Sequence, residues 1–234
     1  MQNTTRSLPQ NLLLPSSITS ANLGPLVEEV VSLLQTLDVG SFPTPTTERA
    51  DLHSYVVTAD VFRNFKARQK LYKAVASCPS LLSAYEDVIM NAVIPHIKRV
   101  CPSLPTPTTF FYQYPPSLRL QPGPSPHFGK THNDAIYGHQ DGEINFWVQL
   151  TDFQKTRCAL MVESSPDKGD FEPLTGPLHT IHMFHGTRNR HFAPPNDSPH
   201  ARVSLDFRVG IKPYFDEEYR MERVPQHTRR SCEL

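Results

Sequence analysis

The chain has 234 residues, with 23 Lys and Arg residues against 23 Asp and Glu residues, so it has no net charge at pH 7. A balanced charge gives no electrostatic reason to expect nucleic acid or an anionic membrane as a partner. The length is within the range of one β-rich domain that has a substantial core. We therefore expect one domain over residues 1–234 rather than two.

The cysteines stand singly and not in Cys-x-x-Cys pairs, which indicates free thiols in a reducing compartment. They are Cys78, Cys101, Cys158 and Cys232. The N-terminus lacks a basic segment joined to an apolar one, and no apolar run approaches the ~18 residues of a membrane span. We expect a soluble, cytoplasmic protein.

Residues 1–104 are predicted to form a helical N-terminal region. Apolar residues recur at helical spacing within Pro25–Asp38, Thr58 can cap a second helix that ends near Cys78, and Leu81–Ala92 belongs to a third. Pro95 should disturb that third helix because proline lacks the backbone N–H. The first 22 residues are polar with scattered Leu and Pro, so we expect them to form a loosely held arm.

After Pro105, short segments rich in aromatic and β-branched residues alternate with Pro and Gly turns. These segments are Thr108–Tyr114, Ser117–Gln121, Glu143–Thr151, Ala159–Glu163, Leu178–Phe184 and Ala201–Gly210. Many short alternating strands after a helical start indicate an α+β, mainly β fold, in which a jelly roll (double-stranded β-helix) over 105–212 packs on the N-terminal helices. Residues 213–234 are expected to form a C-terminal tail.

A histidine and a carboxylate two positions apart, His132 and Asp134, provide part of a candidate metal site. On a strand, positions i and i+2 point to the same face, so the imidazole and the carboxylate can reach a common point. A distant histidine would complete a 2-His-1-carboxylate triad, which suits non-haem Fe(II) and leaves coordination positions open. His191 is the candidate for this third ligand, and His185 is the alternative.

The triplet alone is a weak motif, since chance placement gives about one His-x-acid triplet in a chain of this composition. The chain has a second triplet, His139 and Asp141, whose setting is more typical of a turn. The last third adds a composite that chance would rarely produce. It consists of His191, Asn196, Ser198, Arg202 and Ser204.

The order and spacing of these residues resemble the phytanoyl-CoA-hydroxylase-like iron(II)/2-oxoglutarate oxygenases. Gly138–Trp147 and Arg202–Arg208 are closer still to the small oxygenases of the streptomycin-cluster type, and the resemblance extends over residues 108–212. It implies a jelly-roll fold. It also implies that His191, which lies 11 residues before Arg202, is the distal metal ligand instead of His185.

The resemblance implies an activity as well as a fold. His132, Asp134 and His191 would bind Fe(II), and Arg202 and Ser204 would hold the distal carboxylate of 2-oxoglutarate. Reaction with O2 would release succinate and CO2 and, most simply, hydroxylate a substrate, although desaturation and ring closure remain compatible. Related halogenases have a small residue at the position of Asp134, so the chain resembles an oxygenase.

The substrate is expected to be a small molecule such as an amino acid or a natural-product intermediate. We predict contacts from Tyr112 and Arg119, with His139 as a contact to substrate or to the surroundings of the metal. Asn145 and Trp147 share one face of their strand and should lie beside the cofactors. Arg119 would suit a substrate that has a carboxylate.

Two alternatives stay open at the level of the sequence. The first is a cupin-type jelly roll that performs redox-neutral chemistry with Zn or Mn, which would not need Arg202 and Ser204. The second is a binding module that retains the motif without turnover. Fold by itself does not choose between these functions.

Overall fold

The computed structural model of the chain describes residues 7–42, 51–57, 65–126, 128–219 and 229–234. Its helices are α1 (Gln10–Leu13), α2 (Gly24–Thr36), α3 (Phe65–Ala76), α4 (Pro79–Val88), α5 (Ile94–Val100) and α6 (Phe153–Thr156). The first predicted helix corresponds to α2. Thr58, the predicted cap of the second, lies outside the described residues, whose helix in that region is α3.

The third predicted helix is interrupted just before Pro95. A π-helical segment, Ile89–Val93, joins α4 to α5, and Pro95 occupies the first turn of α5. Because proline cannot donate the backbone hydrogen bond of a regular helix, the chain widens by one residue at this point. No helix in the described ranges has the length and apolarity needed to cross a membrane.

The described strands form two larger sheets and one small hairpin. They are β1 (Ser16–Ile18), β2 (Gly40–Ser41), β3 (Val56–Val57), β4 (Thr109–Gln113), β5 (Ser117–Gln121), β6 (Phe128–His132), β7 (Glu143–Gln149), β8 (Met161–Val162), β9 (Glu172–Pro173), β10 (Ile181–Phe184), β11 (His191–Ala193), β12 (Arg202–Ile211) and β13 (Arg229–Glu233). The main sheet has the order β1-β10-β7-β12-β4-β13, with β5 also paired to β12, and the minor sheet has the order β6-β11-β8-β9.

Each of the six predicted strand segments overlaps an observed strand, so the strand-rich character of the chain after residue 105 is confirmed. The longest strand, β12, lies inside the main sheet. It pairs with β7 along one edge, and its other edge is shared between β5 and β4. This position allows β12 to place side chains on two different layers of the molecule, because successive residues of a strand point to opposite faces.

One face of β12 packs against the helices. Val203, Leu205, Phe207 and Val209 are buried in a core cluster that also includes apolar residues of α2, α4 and α5. The ring of Phe207 stacks on Phe146 at 5.5 Å between centroids and meets Tyr85 edge-on at 5.2 Å. The hydroxyl of Tyr85 donates to the carbonyl of Gln113 at 2.8 Å, which fixes α4 on the sheet.

The expectation of a loosely held N-terminal arm is wrong for residues 7–22. Leu12 is fully buried, and Ser16–Ile18 forms an edge strand of the main sheet against β10. Leu8, Leu12 and Ile18 enter the core from this segment, whereas Leu14 is exposed. The C-terminal segment also contributes to the sheet, because Arg229–Glu233 pairs with β4.

We expect Phe207→Ala to lower the free energy of unfolding by about 3–5 kcal/mol, because it removes a buried ring and leaves a cavity between α4 and the sheet. Urea denaturation followed by circular dichroism measures the change. Tyr72→Ala, at a side chain of α3 that is 43% exposed, is the matched control and should cost less than about 1 kcal/mol. Equal destabilisation by the two substitutions would contradict this account of the core.

Candidate metal centre

The minor sheet brings two distant histidines together. His132 ends β6 and His191 begins β11, and the two residues are direct partners in the antiparallel register. Asp134 follows β6 in a 3-10 turn, Asp134–Tyr137. The ligand atoms of the three residues all lie within 4.8 Å of one another, with Asp134 Oδ1 at 3.9 Å from His132 Nε2 and 3.6 Å from His191 Nε2. These distances suit three atoms that surround one ion.

Backbone carbonyls orient both histidine rings. His132 Nδ1 donates to the carbonyl of Lys130 at 2.7 Å, and His191 Nδ1 donates to that of Asn189 at 3.0 Å. A carbonyl oxygen only accepts, so the proton of each neutral ring lies on Nδ1 and the lone pair lies on Nε2. Burial lowers the pKa of His191, which favours the neutral form that can bind a metal.

The carboxylate of Asp134 uses its two oxygens differently. Oδ2 accepts hydrogen bonds from Arg208 Nη2 at 2.8 Å, Arg208 Nε at 3.1 Å and Asn145 Nδ2 at 2.7 Å, whereas Oδ1 faces the two histidines. Burial opposes ionisation, but the charge of Arg208, supported by His191 and Asn145, holds the pKa of Asp134 well below its usual range. A buried and permanently charged ligand therefore points at the metal position.

Gly186 makes room for the amide that supports Asp134. A Cβ atom at this position would lie 2.5 Å from Asn145 Cγ, and the carbonyl of Gly186 accepts from the backbone N–H of Asp134 at 2.8 Å. The His185–Gly186 pair thus contributes to the site through its glycine. His185 itself donates from Nε2 to the carbonyl of Asp141 at 3.0 Å and lies outside the three-residue cluster.

His139 and Asp141, the second His-x-acid triplet of the sequence, each contact a different side chain. His139 Nδ1 contacts Glu143 Oε2 at 2.6 Å, and Asp141 is bound by Arg188. His139 is buried behind the metal position, where its backbone N–H donates to the carbonyl of Asp134 at 3.3 Å. This placement favours a role in the surroundings of the metal over contact with substrate.

Arg202 and Ser204 lie on the second face of β12, together with Asp206 and Arg208. Arg202 is 3% exposed and Ser204 is fully buried, yet Arg202 Nε and Ser204 Oγ have no hydrogen-bond partner among the described residues. Within the described ranges, the guanidinium makes one hydrogen bond, from Nη1 to Cys158 Sγ at 4.0 Å. Buried polar groups are normally paired, and a buried cation without a carboxylate is costly, so an anion fits this pocket.

A cavity of about 310 Å³ opens beside the three ligand residues. Asn145, Trp147 and Phe184 are among the residues that line it. The ring centroid of Trp147 is also 6.0 Å from Arg202 Cζ, so this indole lies between the metal cavity and the buried guanidinium.

Two predicted substrate contacts have different positions. Arg119 lines the cavity, because it is the register partner of Ser204, but its guanidinium forms a bidentate ion pair with Asp206 at 2.7 and 3.2 Å. Tyr112 does not line the cavity. It pairs with Val209, whose side chain faces the helices, and directly opposite residues share a face. Its hydroxyl accordingly donates to Glu86 at 2.6 Å.

Arg208 and Asp206 also line the cavity, although neither is among the site residues that the sequence predicts. The strict alternation of β12 indicates their position, since both residues share the face of Arg202 and Ser204. The sequence does not show that Arg208 pairs with Asp134 or that Asp206 pairs with Arg119, because these partners belong to other strands or turns.

We expect Arg208→Gln to weaken Fe(II) binding by about 10–100-fold, because Asp134 loses the partner that fixes its orientation. An anaerobic titration of the metal-free protein with Fe(II), in competition with a chromogenic chelator, measures this affinity. Arg188→Gln removes an exposed arginine that is paired with Asp141 and is the control, which should bind Fe(II) as the parent does. Unchanged affinity in Arg208→Gln would show that Asp134 needs no such support.

No protein-family model matches the chain. Over 99 residues the chain is 30% identical to the streptomycin biosynthesis protein StrG of Streptomyces griseus. The match covers 42% of this chain and 46% of StrG, so it spans less than half of either protein.

Solved structures give a broader match at lower identity. EctD from S. alaskensis, solved with 2-oxoglutarate and 5-hydroxyectoine, aligns over 91% of this chain and 80% of its own with a TM-score of 0.52 and 15% identity. SnoN, a non-haem α-ketoglutarate-dependent epimerase from nogalamycin biosynthesis, aligns over 92% of each chain with a TM-score of 0.45 and 13% identity. The chain therefore shares the fold of EctD, and the match to StrG confirms the predicted resemblance to proteins of the streptomycin-cluster type.

Proposed function

We propose that this protein is an iron(II)/2-oxoglutarate-dependent oxygenase of jelly-roll fold that hydroxylates a small molecule and releases succinate and CO2. The observation that supports this best is that two buried polar atoms, Arg202 Nε and Ser204 Oγ, have no hydrogen-bond partner among the described residues, on the strand from which Arg208 supports Asp134. A metal site alone would not require them. A carboxylate that binds there would satisfy both.

The residues present fit both cofactors. His132, Asp134 and His191 offer two nitrogens and one oxygen, the donor set that suits Fe(II) and leaves room for further ligands. Arg202 and Ser204 offer N–H and O–H donors to the distal carboxylate of 2-oxoglutarate. When both are bound, they supply an oxidation by O2 in which 2-oxoglutarate loses CO2 and becomes succinate, and one oxygen atom enters each of succinate and substrate.

The chain itself orients these groups and limits the access of water. Arg208 and Asn145 keep Asp134 ionised with one oxygen directed at the metal position. Phe184 and Trp147 give the cavity apolar walls, which disfavour bulk water beside the reacting groups. A carboxylate at residue 134 also occupies the place where a halogenase has a small residue, which supports oxygenation.

The charges around the cavity favour an anionic substrate. Among the residues that line the cavity, Arg119 and Arg208 balance Asp134 and Asp206, and the nearby buried Arg202 adds one positive charge. Fe(II) and the dianion of 2-oxoglutarate cancel each other, so the loaded site keeps one positive charge. Arg119 is the exposed member of the set, and its Nη1 has no hydrogen-bond partner among the described residues. We infer that Arg119 binds a carboxylate of the substrate.

Redox-neutral chemistry with Zn or Mn would use the same three ligands. It gives no reason for Arg202 Nε and Ser204 Oγ to be buried without hydrogen-bond partners among the described residues. A binding module without turnover would likewise not need a carboxylate pocket next to an open metal site. The oxygenase accounts for both groups of residues.

We expect the metal-free protein to develop a visible charge-transfer band when Fe(II) and then 2-oxoglutarate are added without O2. His191→Ala should lose the band because the metal site is incomplete, and Arg202→Ala should lose it because the pocket for the distal carboxylate is incomplete. Arg188→Ala, which removes an exposed arginine, is the control and should keep it. Metal binding without a band in the parent protein would favour the redox-neutral alternative.

Once a substrate is identified by succinate release, we expect Arg119→Ala to raise its KM by roughly 10–100-fold, because a charge-assisted hydrogen bond to the substrate is lost. Steady-state kinetics at saturating 2-oxoglutarate measure this effect. Asp206→Asn keeps Arg119 but removes the charge of its partner, and it should affect KM less. Unchanged turnover in Arg119→Ala would contradict a substrate role for this residue.

A further inference from the structure

A third buried polar atom without a partner lies beside Arg202 and Ser204. Gln149 ends β7 and is the direct register partner of Ser204. It is 8% exposed, and its Oε1 has no hydrogen-bond partner among the described residues. Its Nε2 donates to Thr156 Oγ1 at 2.9 Å.

The three side chains lie on one face of the main sheet. Directly opposite residues on adjacent strands point to the same side of the sheet, so the side chains of Gln149 and Ser204 are neighbours. Arg202 lies two positions from Ser204 on the same strand and shares its face. Arg202 Nε, Ser204 Oγ and Gln149 Oε1 are therefore three of the six buried polar side-chain atoms without a hydrogen-bond partner among the described residues, and these three share one face of the sheet. Such clusters are rare unless a polar ligand completes them.

The amide of Gln149 can supply a donor to this pocket after a 180° rotation. Oxygen and nitrogen of a glutamine amide are assigned from their hydrogen bonds and not from their shape. Thr156 has a hydroxyl hydrogen, and its two backbone acceptors, at 3.3 Å on Asp152 and 3.5 Å on Cys158, are distant. In the rotated amide, Thr156 donates to Oε1, and Nε2 points into the pocket instead.

The rotation leaves no acceptor in the pocket without a partner. Gln149 Oε1 is then satisfied by Thr156, and the pocket presents three donors: the guanidinium N–H of Arg202, the hydroxyl of Ser204 and the amide N–H of Gln149. A carboxylate only accepts hydrogen bonds, so this arrangement is complementary to it. A neutral ligand that also donates would meet one acceptor among these three groups, the hydroxyl oxygen of Ser204.

We propose that Gln149, oriented by Thr156, is a third side chain that binds the distal carboxylate of 2-oxoglutarate. This inference rests on the proposed function, since it names a further residue of the same cofactor site. Gln149 is a binding residue, and Thr156 is a positioning residue that acts through the Gln149 amide.

The test measures ligand affinity of the Fe(II)-loaded protein by anaerobic calorimetry, with 2-oxoglutarate and with oxalate as probes. Both chelate a metal, but oxalate has no distal carboxylate. We expect Gln149→Leu to weaken 2-oxoglutarate about tenfold and Gln149→Glu on the order of 100-fold, because a carboxylate side chain repels the ligand. Oxalate affinity should stay within about twofold of the parent in both variants, since the metal ligands are untouched.

Thr156→Val tests the positioning role. It removes the hydroxyl that orients the amide, so it should weaken 2-oxoglutarate by a smaller factor than Gln149→Leu and leave oxalate unchanged. Gln154→Leu, on the exposed side of α6, is the matched control and should bind both probes as the parent does. Thermal melting of each variant identifies any general loss of folding, which would weaken oxalate as well.

Each outcome has one meaning. If the Gln149 variants bind 2-oxoglutarate as tightly as the parent, or lose affinity for both probes equally, the proposal is wrong while the proposed function stands. If the parent binds oxalate but not 2-oxoglutarate, the proposed function fails together with this inference. Selective loss of 2-oxoglutarate supports both.

Discussion

The candidate metal centre depends on the buried carboxylate of Asp134, whose two oxygen atoms have different partners. Oδ2 of Asp134 is bound by Arg208 and Asn145, and Oδ1 is left facing two histidine nitrogens. Without Arg208 the burial of Asp134 would favour protonation, and a protonated acid is a poor metal ligand. The neighbouring cation therefore makes a dry metal site possible, because it supplies the electrostatic stabilisation that water would otherwise give.

The pairing of β7 with β12 connects this metal site to the pocket for the carboxylate. β12 places Arg202, Ser204, Asp206 and Arg208 on one face, and β7 adds Asn145, Trp147 and Gln149 beside them. The opposite face of the same two strands consists of aliphatic and aromatic residues packed on the helices. One sheet thus has a polar side with chemical function and an apolar side that stabilises it, so the position of each polar group is fixed by the packing behind it.

Sequence patterns located much of this arrangement but not all of it. The alternation of 143–150 and 202–209 identified which residues share a face, because the period of a strand is two. The spacing between His132, Asp134 and His191 gave a ligand set that the structure brings within 4.8 Å. Tyr112 was misplaced, since the face on which a strand presents a residue depends on its register with β12, which no local pattern contains. The N-terminal arm was misjudged for a similar reason: its edge strand gains its partner from β10.

What the sequence by itself determined is therefore local: the strands after residue 105, the two faces of β7 and β12, and the candidate ligands. What the tertiary structure decided is the partner of each buried charge. Arg208 meets Asp134 across 74 positions of the chain, Arg119 is paired with Asp206 across 87, and Arg202 is left without a carboxylate. Electrostatic stabilisation acts between side chains that folding brings within a few ångströms, so these pairings follow from the register of the sheet and not from the order of residues.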